Sequence, residues 1–456
     1  MASHAPLIVG ISGIRGIVGD SLTTEIVARF ARAFGTWMHP QSTVLVARDT
    51  RPSGHEFSAV CRAGLQQTGC DVVDLGVCST PTAKMMVGQL QAQGALIVTA
   101  SHNPGQWNGL KMVRGDGVFL NAAEGAEVER IFNSQDFRDA AGAESSFYPQ
   151  PECNRTHIER ILDQVDVERI RAAKLSVAID YCNGVGSILI PDLLKELGVG
   201  ADAINAEPNG QFARDPEPLP ENLGDLGGAV GEGAAVAGFA VDPDGDRVAL
   251  VDEHGKPVGE DYTLALAVQT VASQKPGPVV TTLSTSQTVS DVAQSHGCSV
   301  ALTAVGEVHV TESMLALEAV IGGEGNGGVI ITDVVPGRDA ALGIALTLEA
   351  LSRAATGLST LIGALPRYYL DKRKLSCTTQ AMEHAIARLR QTHANAFEHP
   401  VQDGTKLYLS GELSCPWIHL RASNTEPVVR VCAESADVAE ASALCDQVEA
   451  FLSAVA

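Results

Sequence analysis

The sequence predicts an α/β protein built as three similar α/β units in series, followed by a smaller antiparallel α+β module. Three observations carry that reading. Residues 44–98 alternate strand, helix, strand, helix, strand: Val44-Leu45-Val46-Ala47, helices over about 53–69 and 82–91, and apolar runs at 71–75 and 95–98. This is the βαβαβ grammar of a sheet covered by helices. The same grammar recurs at 175–180, followed by a helix through residue 197, and at 278–280, followed by a helix through residue 296. The last segment differs, with a helix over 380–392 and then alternating strands at 406–409, 417–422 and 428–433, the pattern of an antiparallel sheet with one solvated face.

Length and composition agree with this architecture. The 456 residues exceed one ordinary core, and a prior of roughly 100 to 200 residues per domain gives three or four domains. Hydrophobic residues make up 45% of the chain, aromatics only 4%, and there are 45 glycines, a composition rich in small residues and turns. Connectors are expected at Phe147-Tyr148-Pro149-Gln150-Pro151, at Asp252-Glu253-His254-Gly255-Lys256-Pro257 and around Leu365-Pro366. They divide the chain into domains 1–150, 151–254, 255–366 and 367–456.

Charge narrows the partners. With 54 acidic against 32 basic residues the net charge is -22, which repels nucleic acid and anionic membrane except at a local basic patch. An anionic ligand must therefore be held locally. The ten cysteines form no C-x-x-C pair, and Cys61, Cys70 and Cys432 sit in apolar segments as small hydrophobes would. That usage suits a reducing compartment. The first residues, Met1-Ala2-Ser3-His4-Ala5-Pro6, lack the features of a signal peptide, and no apolar run is long enough to span a bilayer, so the cytoplasm is expected.

Four loops carry the chemistry. Thr99-Ala100-Ser101-His102-Asn103-Pro104 places a serine where the apolar run Ala95-Leu96-Ile97-Val98 breaks into a turn, at a strand's carboxyl end where open α/β sheets put ligands. Ser and Asn are also ordinary turn formers, so this loop alone does not decide the matter. A hydrolase elbow is excluded, because Thr99 and Asn103 stand where G-x-S-x-G needs glycines. His102, adjacent in sequence, is poorly placed to deprotonate its neighbour. Asp242-Pro243-Asp244-Gly245-Asp246-Arg247 sets three carboxylates on alternate positions between two apolar runs, as oxygens gather around a hard cation such as Mg²⁺. An EF-hand is excluded by Arg247 at the sixth position, where that loop needs glycine. A plain hairpin turned by Asp-Gly stays open, although three carboxylates this close repel one another without a cation.

Ile321-Gly322-Gly323-Glu324-Gly325-Asn326-Gly327-Gly328 contains the string of the dinucleotide fingerprint, but that fingerprint must open a helix and Val329-Ile330-Ile331-Thr332 reads as a strand. The loop is either a flexible hairpin or a polyol site presenting Glu324 and Asn326, its glycines admitting a sugar close to the backbone. Arg421-Ala422-Ser423-Asn424-Thr425-Glu426-Pro427 packs a guanidinium, hydroxyls, an amide and backbone N–H groups into one turn, an inventory that fits a phosphate dianion as well as a capped turn. Arg430 lies close behind. A serine beside a hard-cation site, with Arg15, Lys111, Arg247 and Arg421 available, points to phosphoryl transfer.

These four loops, in this order, resemble the α-D-phosphohexomutase superfamily, which includes phosphoglucomutases, phosphomannomutases and phosphoglucosamine mutases. The resemblance covers the whole chain, and Gly10-Ile11-Ser12-Gly13-Ile14-Arg15-Gly16 is similar to the family's amino-terminal arginine segment. It implies three α/β domains with mixed sheets and a fourth α+β domain around a central active-site cleft. It further implies that Ser101 carries a phosphoryl group in the resting enzyme, with Mg²⁺ held by Asp242, Asp244, Asp246 and a phosphoserine oxygen. The phosphoryl group passes to a hexose phosphate, and the hexose 1,6-bisphosphate intermediate turns over and returns its other phosphate. Arg15 and Arg247 add positive charge, Lys111 and His102 are candidates for general acid/base work, and Glu324 grips sugar hydroxyls. Arg421, Ser423, Asn424 and Thr425, with Arg430, hold the distant phosphate, and His309 matches a family segment near the sugar.

Departures bear on the substrate. Typical bacterial phosphoglucosamine mutases carry Glu-Gln-Ser-Gly-His in the sugar loop, and the bifunctional phosphomannomutase/phosphoglucomutases carry Glu-Met-Ser-Gly-His. Glu324-Gly325-Asn326-Gly327-Gly328, together with Trp107-Asn108-Gly109 in the serine loop, looks more like the archaeal-type phosphoglucosamine mutases. The expected activity is therefore a phosphoglucosamine mutase ahead of the mannose and glucose versions, acting as a monomer or homodimer. A catalytically inactive sugar-phosphate-binding protein is the alternative from another class.

Overall fold

The computed structural model describes residues 6–10, 13–140, 142–401, 403–422 and 428–454; the predicted phosphate-loop residues Ser423, Asn424 and Thr425 lie outside them. The first unit runs β1 (Ile8–Gly10), β2 (Gly13–Ile17), α1 (Thr24–Trp37), β3 (Thr43–Arg48), α2 (Gly54–Gln67), β4 (Asp71–Val77), α3 (Thr80–Gln89), β5 (Gly94–Val98), β6 (Trp107–Arg114), α4 (Ala122–Ser134) and β7 (Ser145–Phe147). Its seven-stranded sheet has the order β1-β2-β6-β5-β3-β4-β7. Strands β5, β3, β4 and β7 are parallel, whereas β6 returns antiparallel to β5 and β2 antiparallel to β6. All five residues of β5 are buried, which is why its sequence is a continuous apolar run.

The second unit comprises α5 (Gln150–Leu162), α6 (Val167–Ala173), β8 (Ser176–Asp180), α7 (Gly186–Glu196), β9 (Gly200–Ile204), α8 (Gly224–Glu232), β10 (Ala237–Val241) and β11 (Val248–Asp252), with strand order β11-β10-β8-β9. The third comprises α9 (Glu260–Ala272), β12 (Val279–Thr282), α10 (Gln287–Ser295), β13 (Val300–Thr303), α11 (Glu307–Leu317), β14 (Ile321–Glu324), β15 (Gly328–Ile330), α12 (Ala340–Ala354) and α13 (Leu358–Gly363), with order β13-β12-β14-β15. Both sheets are parallel except for one antiparallel edge strand, β11 or β15. The sheets are therefore mixed, as the resemblance implied. The segment expected as a connector at 147–151 is structured: it holds the end of β7 and the first turn of α5.

This shared topology has one consequence for function. In each of the three units the last inner strand runs straight into an antiparallel neighbour, and the turn between them is a loop singled out by sequence. The serine loop joins β5 to β6, the Asp loop β10 to β11, and the glycine loop β14 to β15. A strand rather than a helix follows the glycine loop, which removes the dinucleotide fingerprint as an explanation.

A single apolar core joins the three units, with Leu45 and Ile97 from the first, Phe239 and Val241 from the second, and Leu264 and Ile344 from the third. Helix α12 is part of it, buried on every face from Ala340 to Leu351, and that stretch is accordingly apolar nearly all round, with Thr347 and Glu349 its only polar side chains. The last unit consists of β16 (Tyr369–Ser376), α14 (Thr379–Thr392), β17 (Phe397–Glu398), β18 (Thr405–Tyr408), β19 (Trp417–Ala422), β20 (Val428–Ser435) and α15 (Val438–Ser453). It forms an antiparallel sheet, β16-β20-β19-β18-β17, over its own core of Leu407, Ile418, Leu420, Val431 and Val448. The ten cysteines are free thiols; Cys61 and Cys70 are buried as expected, whereas Cys432 is half-buried. Among the described residues no helix is long and apolar enough to cross a membrane.

Candidate active site

Ser101 stands three residues beyond the end of β5, buried, with φ at +51°, a left-handed conformation that costs a non-glycine residue energy. The loop is braced from behind by Arg51, which the sequence reading did not single out. Its guanidinium donates to the carbonyls of Ser101 (2.7 Å), Asn103 (2.6 Å), Pro104 (2.8 Å) and Trp107 (2.8 Å), and to Asp49 Oδ2 (3.0 Å). Asp49 in turn accepts from Thr99 Oγ1 at 2.6 Å, and Thr99 Oγ1 accepts from the Ser101 N–H at 2.9 Å. These bonds tie down the turn while the serine Oγ faces the next unit.

There it meets the Asp loop. Ser101 Oγ lies 3.4 Å from Asp242 Oδ2, across 141 residues of chain. Asp242 Oδ1 accepts from the backbone N–H groups of Asp246 (3.0 Å) and Arg247 (3.1 Å), which curls the loop around it. Asp242, Asp244 and Asp246 are all buried and offer ligand atoms within 4.8 Å of one another. Burial and the neighbouring Asp246 and Asp244 push the Asp242 carboxyl well above the usual carboxylate range. Burial acts in the same sense on Asp246, but the charges of Arg338, Lys111 and Arg247 outweigh it and hold that carboxyl well below. Asp244 Oδ1 and Asp246 Oδ1 are buried and accept no hydrogen bond from the described residues. Three converging carboxylates with unsatisfied oxygens fit a hard divalent cation that keeps part of its own shell.

Four predicted cationic or imidazole groups gather at this point. Arg15 on β2 and Lys111 on β6 share one sheet face, since Arg15 pairs with Gly109 and Gly13 with Lys111 across the antiparallel ladder. Lys111 Nζ donates to Asp244 Oδ2 at 2.6 Å and Asp246 Oδ2 at 3.3 Å; burial works against its charge, but the two carboxylates win and raise its pKa. Arg15 donates to Asn103 Oδ1 at 3.0 Å. Arg247 pairs with Asp242 at 3.4 Å, and its Nη2 is buried and unpartnered among the described residues. His102 Nδ1 lies 3.4 Å from Ser101 Oγ and Nε2 3.7 Å from Glu217, a residue of the second unit. Burial, then Arg247 and Arg15, push the His102 pKa down to about 2, so its imidazole is neutral at pH 7.

The glycine loop abuts the Asp loop. Gly327 has φ +84°, a Cβ there would lie 2.4 Å from the Val248 carbonyl, and its own carbonyl accepts from Val248 N–H at 3.1 Å. Glu324 at the end of β14 is held at both oxygens, by Gly306 N–H at 3.1 Å and by Arg338 Nη1 at 2.8 Å. Arg338, also missed in the sequence, links that carboxylate to Asp246 Oδ2 at 2.7 Å and to Glu307 Oε2 at 3.0 Å. Its partners lie 92, 31 and 14 residues away, so no local pattern announced it. Asn326 Oδ1 is buried and unpartnered among the described residues. His309 is half-buried in the first turn of α11, two positions after Glu307.

Opposite the glycine loop, the last unit contributes Arg421 and Arg430, which face each other as paired residues of β19 and β20. A cavity of about 180 Å³ joins the two sides, lined by Glu324, Asn326, His419, Arg421 and Arg430 among others. Arg421 contacts Asp403 Oδ2 at 3.3 Å, and the same oxygen accepts from Val305 N–H at 2.8 Å. The structure therefore gathers Ser101, His102, Lys111, Arg15, Arg247 and the Asp triplet at one place, and Glu324, Asn326, Arg421 and Arg430 around an adjoining cavity.

Comparison with known proteins identifies the family. Residues 6–139, 155–255, 259–369 and 374–451 match, in turn, the three alpha/beta/alpha domains and the C-terminal domain described as phosphoglucomutase/phosphomannomutase. A phosphoglucomutase/phosphomannomutase from Thermococcus kodakarensis is 36% identical over 434 residues, 93% of this chain and 94% of the relative. A probable phosphoglucosamine mutase from Methanopyrus kandleri is 34% identical over 449 residues, 96% of each chain. Among solved structures, a phosphoglucomutase/phosphomannomutase family protein from Burkholderia thailandensis superimposes with a TM-score of 0.85 at 27% identity, covering 98% of this chain and 97% of the other. The chain belongs to the phosphoglucomutase/phosphomannomutase family, whose members are phosphohexomutases, isomerases that move a phosphoryl group within a sugar phosphate.

Proposed function

We propose that the protein interconverts glucosamine 6-phosphate and glucosamine 1-phosphate, using Ser101 as the phosphoryl carrier. The observation that carries this reading is the placement of Ser101 Oγ, in a braced left-handed turn, 3.4 Å from one of three buried, clustered aspartates. Asp242, Asp244 and Asp246, with one oxygen of the phosphoserine, would hold Mg²⁺, which supplies charge neutralisation at the phosphoryl oxygens.

In the forward direction the sugar O1 hydroxyl attacks the phosphorus of phosphoserine. The O1–P bond forms, the bond from Ser101 Oγ to phosphorus breaks, and the hydroxyl proton ends on Ser101 Oγ, relayed through His102 or through Lys111, whose ammonium gives a proton to the leaving oxygen as it is refilled from O1. The free Nη2 of Arg247 and the guanidinium of Arg15 neutralise charge on the transferring group. The bisphosphorylated sugar then turns over, and its 6-phosphate returns to Ser101 with the proton restored to O6. Glu324 and Asn326, with His309, bind sugar hydroxyls, and the loop of Arg421, Ser423, Asn424 and Thr425, with Arg430, holds the phosphate remote from Ser101.

The amino sugar is favoured by Glu324-Gly325-Asn326-Gly327-Gly328 and Trp107-Asn108-Gly109, and by the probable phosphoglucosamine mutase among the relatives. The Thermococcus kodakarensis relative supports glucose and mannose phosphates as the second reading. Comparing kcat/KM for glucosamine, glucose and mannose 6-phosphates decides between them, the amino sugar being expected to lead. No turnover of any of the three, with Mg²⁺ and a hexose bisphosphate activator present, contradicts the mutase reading and leaves a sugar-phosphate binder.

A further inference from the structure

Two helices from different units aim their first turns at the Asp loop. At α3, Thr80 N–H donates to the Asp244 carbonyl (2.9 Å) and Thr80 Oγ1 to Asp244 Oδ2 (2.6 Å). At α12, Ala340 N–H donates to the Gly245 carbonyl (3.2 Å), and Arg338, just ahead of the N-cap, donates to Asp246 Oδ2 (2.7 Å). Backbone and side chains of Asp244, Gly245 and Asp246 are thus held between two helix N-termini.

One side chain ties those termini together. His157 on α5 is fully buried; its Nε2 lies 2.8 Å from Asp339 Oδ2, and its Nδ1 lies 2.9 Å from Thr82 Oγ1. Asp339 is the N-cap of α12, its other oxygen accepting from Ala341 N–H at 2.9 Å. Thr82 is in the first turn of α3, where its N–H donates to the N-cap Ser79 Oγ at 3.1 Å and its Oγ1 lies 2.6 Å from the same atom. A neutral imidazole satisfies the whole chain: Nε2–H donates to Asp339, Thr82 Oγ1 donates to Nδ1, and Ser79 Oγ donates to Thr82. His157 and Thr82 touch no catalytic group described above, and this geometry serves none of the chemistry proposed for Ser101.

We infer that His157 is a positioning residue for the divalent-cation site: it staples the first turns of α3 and α12 and so fixes the donors that hold Asp244 and Asp246 in ligating position. The inference rests on reading the Asp triplet as a cation site. Groups that orient metal ligands through hydrogen bonds typically change metal affinity about 10- to 100-fold when removed. The staple acts one bond further out, so the lower end of that range applies.

The test is Mn²⁺ binding to the full-length protein, followed by the electron paramagnetic resonance signal of free Mn²⁺, for His157→Phe, His157→Gln and Thr82→Val. Thermal melting without metal is run alongside. His157→Phe should raise the Mn²⁺ dissociation constant about 10-fold. Thr82→Val, which removes only the hydroxyl, should raise it about 3-fold, and adding it to His157→Phe should cost little more. His157→Gln, whose amide can replace the Nε2–H donor, should recover part of the loss. Melting that falls while Mn²⁺ affinity stays within about twofold of the unaltered protein would make His157 a core residue only, and overturns the inference. Should His157→Phe fail to fold, Thr82→Val decides on the same criterion. Absence of Mn²⁺ binding by the unaltered protein overturns the cation reading and the inference together.

Discussion

The two halves of the cleft are built on opposite plans. Around Ser101 and the Asp triplet the charged groups are buried or half-buried, and several are tied across units: Arg51 donates five hydrogen bonds, Arg338 reaches three carboxylates, and Lys111 spans two. On the last unit Arg421 keeps a quarter of its side chain exposed and, among the described residues, makes one 3.3 Å contact to Asp403, beside a cavity of about 180 Å³. The difference separates labour. The first half is fixed before substrate arrives, as electrostatic stabilisation of the proposed phosphoryl group requires; the second retains the slack that the proposed phosphate site needs if either end of the sugar can enter it.

Substitutions should therefore divide between kcat and KM, and each prediction tests that division. The largest effect belongs to Ser101→Ala, which removes the proposed carrier and should lower kcat by at least about 10³-fold with KM little changed. Lys111→Met should follow, at about 10²- to 10⁴-fold in kcat, because a proton carrier and the counter-charge of two carboxylates vanish together. Arg421→Ala should act on the other side: loss of a charge-assisted hydrogen bond worth about 1.5–3 kcal/mol raises KM about 10- to 100-fold, with kcat within a few-fold. A fall in kcat as large as that of Lys111→Met would erase the distinction between the halves. Steady-state kinetics of the three variants settles the order.

A smaller effect probes the wall between the third unit and the last. Lys406 on β18 is buried, donates to the Leu283 carbonyl at 2.6 Å and lies over the Trp417 ring at 3.5 Å; burial lowers its pKa to about 7. The folded value lies below the unfolded one, so the unfolded chain binds the extra proton between the two. The stability associated with neutral Lys406 is present above about pH 10 and lost progressively as pH falls towards 7. Melting of the unaltered protein relative to Lys406→Met should improve as pH rises from 7 to 10, and a pH-independent difference would refute this.

Much of this plan was legible in the chain because its signals are local. The apolar run 95–98, the strands at 417–422 and the alternating aspartates each sit within a few residues, and the structure puts the strands at Gly94–Val98 and Trp417–Ala422. What the sequence hid acts at long range. Arg51 braces residues about fifty positions away, Arg338 joins carboxylates from three elements, and His157 bridges Thr82 and Asp339, 75 residues behind and 182 ahead. Partial signals existed: Asp49-x-Arg51 is a charged pair at a strand end, and Pro336-Gly337-Arg338-Asp339 before an apolar run marks a helix start. Neither says where the free valences point. The left-handed backbone of Ser101 was equally silent, since serine does not advertise that conformation as glycine does.

Phosphorylation of Ser101 is read directly from the intact mass of the purified protein after incubation with a hexose 1,6-bisphosphate and Mg²⁺. The expected result is a gain of one phosphoryl group that peptide mapping places on Ser101, that Ser101→Ala abolishes, and that hexose monophosphate removes. A protein that turns over its substrate while Ser101 stays unmodified under these conditions would contradict it.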